Sequence, residues 1–564
     1  MVKLVYTYAL GAYAVWCAGS SPVSGTKINR VIIISRMGKI AKYLNQLTVG
    51  NVFDNPEVLE KYSTDQSALK IKPKFVAFPE STDDIRKLMK FFNQLSTKDI
   101  NVTITPRGSG TSEGGESLSS GIIISTEKLN KLLEIDTRER LVRVQSGITL
   151  KELNTALSVS GLTIPVEGRD EETIGGLISN MPADGAMGKY GGIMNFVERI
   201  EVVLTNGECL QTERLKRYAV AKAAAEKSFE GNIYQKISKL LHDNPELLKK
   251  LKDKKKSLVG YPLITKLSKR ETLDLMPIFF GAEGTLGIIS EVILKALPMK
   301  ERPTRVVATF KEIGPALKYA EMVHNLNPRK VELYDLKIIM EAREAGKNLD
   351  GVIRKLEDGY VIFASFDEKG NSALKKITAM KEELPRNAKF VFESVENRTT
   401  LGEFENSLVN YLHYAKNAER VPLLTDFYLP VYNLQNFLKD LEILEEKLKL
   451  DLELYGNIET EIFSLRPKFN LEEEDFNKKA TTFLRAGAYI ISRHGGELAG
   501  GTPEGRLKAV VTNVDLPEDE RKLYEDLKKI FDPNGILNPD VKLGANSKFT
   551  LTHFRDTNSS KIML

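Results

Sequence analysis

The stretch Pro106-Arg107-Gly108-Ser109-Gly110-Thr111-Ser112-Glu113-Gly114-Gly115 decides the fold. It follows directly on Asn101-Val102-Thr103-Ile104-Thr105, a short β-branched run that reads as a strand. Glycines let a backbone approach a ligand closely, and successive N–H groups in such a turn form an anion-binding concavity. Gly108 and Gly110, with the hydroxyls of Ser109, Thr111 and Ser112, offer what a pyrophosphate needs: bare amides plus hydroxyl donors. A Rossmann turn is the first alternative, because Glu134 or Asp136 stands near the distance of a ribose-binding acid. The context rejects it, since no helix opens after these glycines and another strand begins at Ile122. A Walker loop is rejected too, because no Gly-Lys-Ser/Thr follows.

Two further glycine blocks follow. Thr173-Ile174-Gly175-Gly176-Leu177-Ile178-Ser179-Asn180 runs on to Gly185, Gly188, Gly191 and Gly192. Then comes Phe280-Gly281-Ala282-Glu283-Gly284-Thr285-Leu286-Gly287-Ile288-Ile289-Ser290-Glu291. The three blocks, in this order, resemble the FAD domain of the vanillyl-alcohol oxidase and p-cresol methylhydroxylase (PCMH) superfamily. Within it the chain is similar to the branch of D-lactate dehydrogenases and the glycolate oxidase FAD subunit. The resemblance is strong over about 50–300 and looser over about 300–545.

That resemblance implies an α+β fold: a two-subdomain PCMH-type FAD-binding domain followed by a ferredoxin-like α+β cap. It implies that Pro106, Arg107, Gly108, Ser109, Gly110, Thr111 and Ser112 wrap the pyrophosphate. Thr173, Ile174, Gly175, Gly176, Asn180 and Gly185 would line the ribityl chain and ring. Glu283, Gly284, Gly287, Ile288 and Ile289 would hold the adenosine side, and Asn538, in the closing Asp532-Pro533-Asn534-Gly535 to Pro539 segment, would touch the flavin. A long, multiply charged cofactor needs several close backbone approaches, which agrees with this glycine pattern. Some members of the superfamily fix the flavin covalently through His or Cys. Neither residue occurs in 106–115, 173–192 or 280–291, so non-covalent FAD is expected.

The catalytic half departs from the branch. Oxidising a hydroxy acid needs a base for the hydroxyl proton, a cation for the carboxylate and Cα held over flavin N5. The branch carries histidine-rich segments that often hold a divalent metal. Here Leu452 and Glu459 stand where histidines would sit around Gly456-Asn457, and Gly501-Thr502 replaces Glu-His. The five histidines (His242, His324, His413, His494 and His553) leave little to rebuild an imidazole site, so no metal is expected. Glu459 remains as a candidate base, Glu504 as a second acid and Arg506 as a carboxylate clamp. Asn457 and Tyr455 are hydrogen-bond donors, and His494 is the one histidine inside a motif. Surface acids and a hydrogen-bonded histidine at a strand end are the bland alternatives. The arginine usual in the helix before the capping strand is not supplied by Tyr411-Leu412-His413-Tyr414.

The 564 residues exceed one ordinary core, and 42% hydrophobic with 28% charged residues is the balance of a soluble globular protein. A net charge of +5 leaves no nucleic-acid footprint, and the run Lys249–Lys256 reads as the solvated end of a helix. With only Cys17 and Cys209, a cysteine-ligated iron–sulfur cluster is excluded, so electrons must leave through a partner or a diffusible acceptor. The expected domains are 1–36, a leader or spurious extension with translation starting at Met37; 37–72, a helical segment; 73–298, the FAD domain; 299–515, the cap; and 516–564, a return to the FAD domain ending in a disordered tail. A weak signal peptide and an ordered segment are the other readings of 1–36. No apolar run is long enough to cross a bilayer, and a cytoplasmic protein that allows peripheral contact with the inner membrane face is expected. The leading expectation is a dehydrogenase of a D-2-hydroxy acid such as D-lactate, glycolate or 2-hydroxyglutarate. Its electrons would pass to a quinone, a cytochrome or an electron-transfer flavoprotein. The alternatives are a sugar, alditol or polyprenyl-linked saccharide oxidoreductase, and a non-catalytic FAD-binding subunit.

Overall fold

The computed structural model describes residues 40–555, apart from 99, 101, 255, 301–302, 345–358, 369, 386–387, 394–397, 415–419, 471–472 and 474. The expectations placed on residues 1–36 and Met37 lie outside the described residues.

Three sheets organise the chain. The first has the order Asn51–Phe53, Phe75–Phe78, Ile122–Ser125, Ile104–Arg107, and its last three strands run parallel. Ile122, Ile123 and Ile124 are fully buried, as a central parallel strand covered on both faces requires. The helix Thr82–Ser96 covers one face with Ile85, Leu88, Met89 and Phe92, and Ser81 caps it by accepting from the Asp84 amide at 3.2 Å. The strand read at 101–105 is displaced to Ile104–Arg107, so it ends on the first residues of the glycine loop. The loop thus leaves the carboxyl end of a parallel strand, where open α/β sheets bind ligands.

The second sheet is antiparallel, in the order Leu132–Asp136, Leu141–Gln145, Ile288–Lys295, Val197–Val203, Cys209–Gln211. The third glycine block therefore feeds its central strand. The polar insertion at 211–257 forms the helices Arg217–Ala224, Phe229–Asp243 and Pro245–Asp253.

The third sheet has seven strands. They lie in the order Lys389–Phe392, Thr304–Phe310, Tyr360–Phe366, Lys330–Asp335, Asp451–Asn457, Ile462–Lys468, Leu424–Tyr428, with every pairing antiparallel. One face is apolar (Val306, Ala308, Leu333, Ile362, Leu454, Leu465) and packs under the helices Ile313–His324, Leu434–Leu448 and Phe476–Arg493. The other face is covered at one end by Leu336–Glu344 and Arg398–Tyr414. At its other end the strand period of two leaves a polar strip: Lys330, Glu332 and Tyr334 beside Asn457, Tyr455 and Glu453.

The chain then returns. Leu523, Leu527 and Phe531 of the helix Glu518–Phe531 join the core of the second sheet, and Leu537 bridges Ile104 in the first. The tail expected to be disordered is structured as far as it is described: Ser547–Leu551 is helical, and Phe554 bridges Leu69 and packs on Phe476. An apolar anchor inside a Ser/Thr-rich tail explains the difference. The whole is the α+β PCMH-type arrangement expected from the glycine blocks.

Candidate functional site

A cleft of about 320 Å³ runs from the first two sheets to the polar strip of the third. Loop 106–114 forms one wall. Thr173, Gly175, Gly176, Asn180 and Gly185 continue it, and Glu283, Gly284, Gly287, Ile288 and Ile289 close the near end. Ile174 is fully buried behind this wall and does not line it.

The loop is held from behind. Arg107 stacks its guanidinium 4.9 Å from the centre of the Tyr62 ring, beneath Gly110. Gly110 has φ +77°, and a Cβ there would lie 2.7 Å from Arg107 Cζ, so only glycine fits without moving the loop. Arg169 donates to the Thr111 carbonyl at 2.7 Å and to Glu113 at 2.8 Å. Asn538, fully buried, donates to the carbonyls of Glu116 and Glu283, both at 2.8 Å, and accepts from Thr105 at 3.0 Å. It therefore ties two glycine loops and the strand between them together from beneath, off the cleft surface. What faces the cleft from loop 108–112 is backbone and small hydroxyls, a surface that fits a pyrophosphate.

At the far end the third sheet supplies charge. Lys330 is 4% exposed and lies 2.7 Å from Glu405, 3.1 Å from Glu167 and 3.4 Å from Glu332. Burial works against its charge, but these three carboxylates outweigh it and hold the ammonium well above its usual range. Tyr334 donates to Glu332 at 2.8 Å. Lys508 also lines the cleft, 3% exposed, and donates to Thr502 at 3.0 Å; no carboxylate among the described residues lies within 4 Å of its ammonium. Burial lowers its pKa, and the charges of Asp426, Glu283, Glu113 and Glu116 only partly offset that. Burial likewise pushes the carboxyls of Glu172 and Asp184 up to about 7 and Glu283 to about 8.

The residues singled out for catalysis separate in space. Asn457 lines the cleft; its amide donates to the Gly185 carbonyl at 3.0 Å and its oxygen accepts from the Glu459 and Thr460 amides, each at 2.9 Å. Glu459 lies beyond the strand end, off the cleft wall, 3.1 Å from His324 Nδ1. Arg506 is buried beneath the loops and donates to the carbonyls of Pro539 and Leu118 at 2.9 and 3.0 Å. Glu504 accepts from the Gly260 amide at 2.8 Å and from Thr512 at 2.6 Å, again off the wall. His494 caps the helix Phe476–Arg493 and meets Asp440 at 2.9 Å, away from the cleft. The glycine-framed segment that carries Arg506 packs on the glycine loop: the Arg506 amide donates to the Gly114 carbonyl at 2.8 Å. Lys330, Glu332, Tyr334, Asp426 and Lys508 went unmarked in the sequence. The alternation Lys330-Val331-Glu332-Leu333-Tyr334 was the one visible signal of a polar strand face. Among the described residues, no cluster of His, Cys, Asp and Glu has the makings of a metal site, and none of those lining the cleft is His or Cys.

Comparison with known proteins agrees with this architecture. Residues 73–213 match the FAD binding domain family, and residues 300–541 match the FAD linked oxidases, C-terminal domain family. The chain is 26% identical over 505 residues to D-2-hydroxyglutarate dehydrogenase of Pantoea ananatis, covering 85% of this chain and 48% of that protein. It thus spans about half that relative's length. It is 24% identical to D-lactate dehydrogenase of Anaerostipes hadrus, covering 86% of this chain and 92% of that one. The structure of p-cresol methylhydroxylase with substrate bound superposes with a TM-score of 0.63 at 12% identity, covering 89% of this chain and 96% of that one, a likeness of fold. The chain belongs to the FAD-linked oxidases, oxidoreductases that join an FAD binding domain to the C-terminal domain of this family.

Proposed function

We propose that this protein binds FAD without a covalent bond and oxidises a D-2-hydroxy acid at the far end of the cleft. The observation that carries the reading is Lys508, a cation buried in the cleft wall with Thr502 as its hydrogen-bond partner and, among the described residues, no carboxylate within ion-pair distance. A desolvated ammonium in that position supplies a charge-assisted bond to a substrate carboxylate. Lys330 is less suited, because three glutamates already neutralise it. Tyr455 and Asn457 line the same cleft and offer polar contacts to the substrate. When bound, FAD would supply the acceptor for the hydride of the substrate carbon. None of the described residues that line the cleft is His or Cys, in keeping with a dissociable cofactor. The relatives named for D-2-hydroxyglutarate and D-lactate support the substrate class. Electrons then pass to a quinone, a cytochrome or an electron-transfer flavoprotein. No helix among the described residues is long and apolar enough to cross a membrane.

One feature favours a second reading. The substrate end carries Glu332 and Asp426, acceptors suited to a polyol, so an alditol or sugar is the alternative donor. Anaerobic titration of the yellow flavin band with D-lactate, glycolate, D-2-hydroxyglutarate and sorbitol separates the two. Bleaching by a D-acid, weakened in Lys508→Met, is expected; bleaching by sorbitol alone would transfer the assignment to the polyol.

A further inference from the structure

The strand Leu424–Tyr428 is irregular where it borders the cleft. Its register against Ile462–Lys468 shifts between Leu424 and Phe427, and inside that bulge Asp426 has φ +51°. A non-glycine residue in the left-handed region costs about 1–2 kcal/mol. Bulges next to active sites re-aim a side chain, and strain of this kind gathers where the surrounding structure holds it in place. The holding is visible here. The Asp426 amide donates to Ser464 Oγ at 2.9 Å, Ser464 Oγ donates back to Asp426 Oδ1 at 3.2 Å, and the Asp426 carbonyl accepts from the Gly501 amide at 2.7 Å. Oδ2 is left without a hydrogen bond among the described residues, on a side chain that lines the cleft.

The other carboxylates that line the cleft are held by partners or sealed: Glu116 Oε2 and Glu283 Oε2 have no hydrogen bond among the described residues but are closed off from solvent. Glu332 is held by Tyr334 and Lys330, and Glu113 by Arg169. Asp184 has an unpartnered oxygen, but that atom is sealed from solvent and its mate binds the Ala186 amide at 2.9 Å. The groups that bear on Asp426 are Lys508, Glu113, Arg169 and Ser464, with Tyr455 alongside. Burial raises its pKa, Glu113 adds to this, and Lys508, Ser464 and Arg169 oppose it.

We propose that Asp426 is the catalytic base, taking the hydroxyl proton of the substrate while Lys508 holds the substrate's anionic end. The inference rests on the reading of the cleft as the site of CH–OH oxidation. The O–H bond breaks and its proton goes to Oδ2. The C–H bond breaks with its electron pair leaving as hydride to FAD, the C=O bond forms, and Asp426 returns the proton to solvent through the cleft. The substrate is oxidised and FAD reduced, with no further reactant.

Asp426→Asn tests this, because asparagine tolerates the left-handed backbone and can still accept from Ser464. The variant is loaded with FAD and reduced anaerobically with whichever of D-lactate, glycolate, D-2-hydroxyglutarate and sorbitol bleaches the wild type. Retained FAD and a reduction rate lower by about 10²–10⁴-fold, with the acid limb of its pH profile gone, are expected. A second readout uses apo-protein. A raised folded pKa makes the wild type lose stability as pH rises from the ordinary carboxylate value to the raised one. The Tm of Asp426→Asn should therefore exceed that of the wild type at pH 8, and the gap should close in acid. An unchanged rate and pH profile, or a Tm gap indifferent to pH, would overturn the assignment. If sorbitol alone bleaches the wild type, the hydroxy-acid reading falls, and the variant's rate on sorbitol still decides Asp426.

Discussion

Replacing Gly284 with alanine tests the cofactor wall where its geometry is tightest. Gly284 has φ +67°, and a Cβ there would stand 2.9 Å from Cδ of Pro106 and closer still to Cγ. The left-handed backbone alone costs about 1–2 kcal/mol for alanine. Overlap with a rigid ring adds about 1–3 kcal/mol, because Pro106 sits in the strand that opens the glycine loop and cannot rotate away. The backbone strain lowers Tm, whereas relief of the overlap moves the loop, so about 1–3 kcal/mol should appear as lost cofactor binding. That corresponds to a roughly five-fold to 150-fold rise in Kd for FAD. Gly161→Ala is the matched control: φ is +66°, nothing lies within 4 Å of the added carbon, and the residue is far from the cleft wall. It should lower Tm through backbone strain and leave Kd unchanged. Titrating apo-protein with FAD and following the quenching of flavin fluorescence gives both constants. A Gly284→Ala variant that binds FAD as tightly as the wild type would refute the packing argument.

Lys508→Met should raise the apparent Kd of the hydroxy acid in flavin reduction by about ten- to a hundred-fold, the loss of one charge-assisted hydrogen bond, while FAD stays bound. An unchanged substrate dependence would remove Lys508 as the carboxylate partner. Glu459→Gln should leave the reduction rate unchanged, because Glu459 is held against His324 outside the cleft wall; a large drop would return it to the site. Burial raises Glu172 and Asp184 to about 7 and Glu283 to about 8, so these carboxyls bind protons more tightly in the folded state than in the unfolded one. Their contribution to stability is complete below the ordinary carboxylate range and is lost as pH rises through 7 and 8. Glu341, Asp367 and Glu405, held at about 2 against burial by their cationic and hydrogen-bonding partners, act only at lower pH. The Tm of apo-protein should therefore fall between about pH 5 and pH 8, and a rise over that window would contradict these shifts.

The glycine loop was legible because its signal is local. A backbone that must turn left-handed at Gly110 and present bare amides leaves its mark in consecutive residues. The strands Ile122–Ser125 and Leu141–Gln145 were legible as short apolar or alternating runs. The substrate end was not, because its parts come from distant strands. Lys330, Asp426 and Asn457 line one cleft only when seven strands assemble in their observed order, and Lys508 joins them from the turn before the helix Ala509–Asp515. Glu459 illustrates the difficulty. It stands two residues beyond Asn457, the spacing that shares a face along a strand, but the strand ends at Asn457 and the chain turns away. Arg506 looked like a clamp because an arginine among glycines suits an anion, yet its donors meet the Leu118 and Pro539 carbonyls beneath the loops. Asp426 gave no signal, since a bulge inside a strand has no composition of its own.

Anaerobic reduction of the FAD-loaded protein by D-lactate, L-lactate, glycolate and D-2-hydroxyglutarate, followed at the yellow flavin band, tests the central claim most directly. Bleaching by a D-2-hydroxy acid, with L-lactate inert, is the predicted result. A protein that keeps its FAD yellow with all four would contradict the assignment of the cleft to hydroxy-acid oxidation.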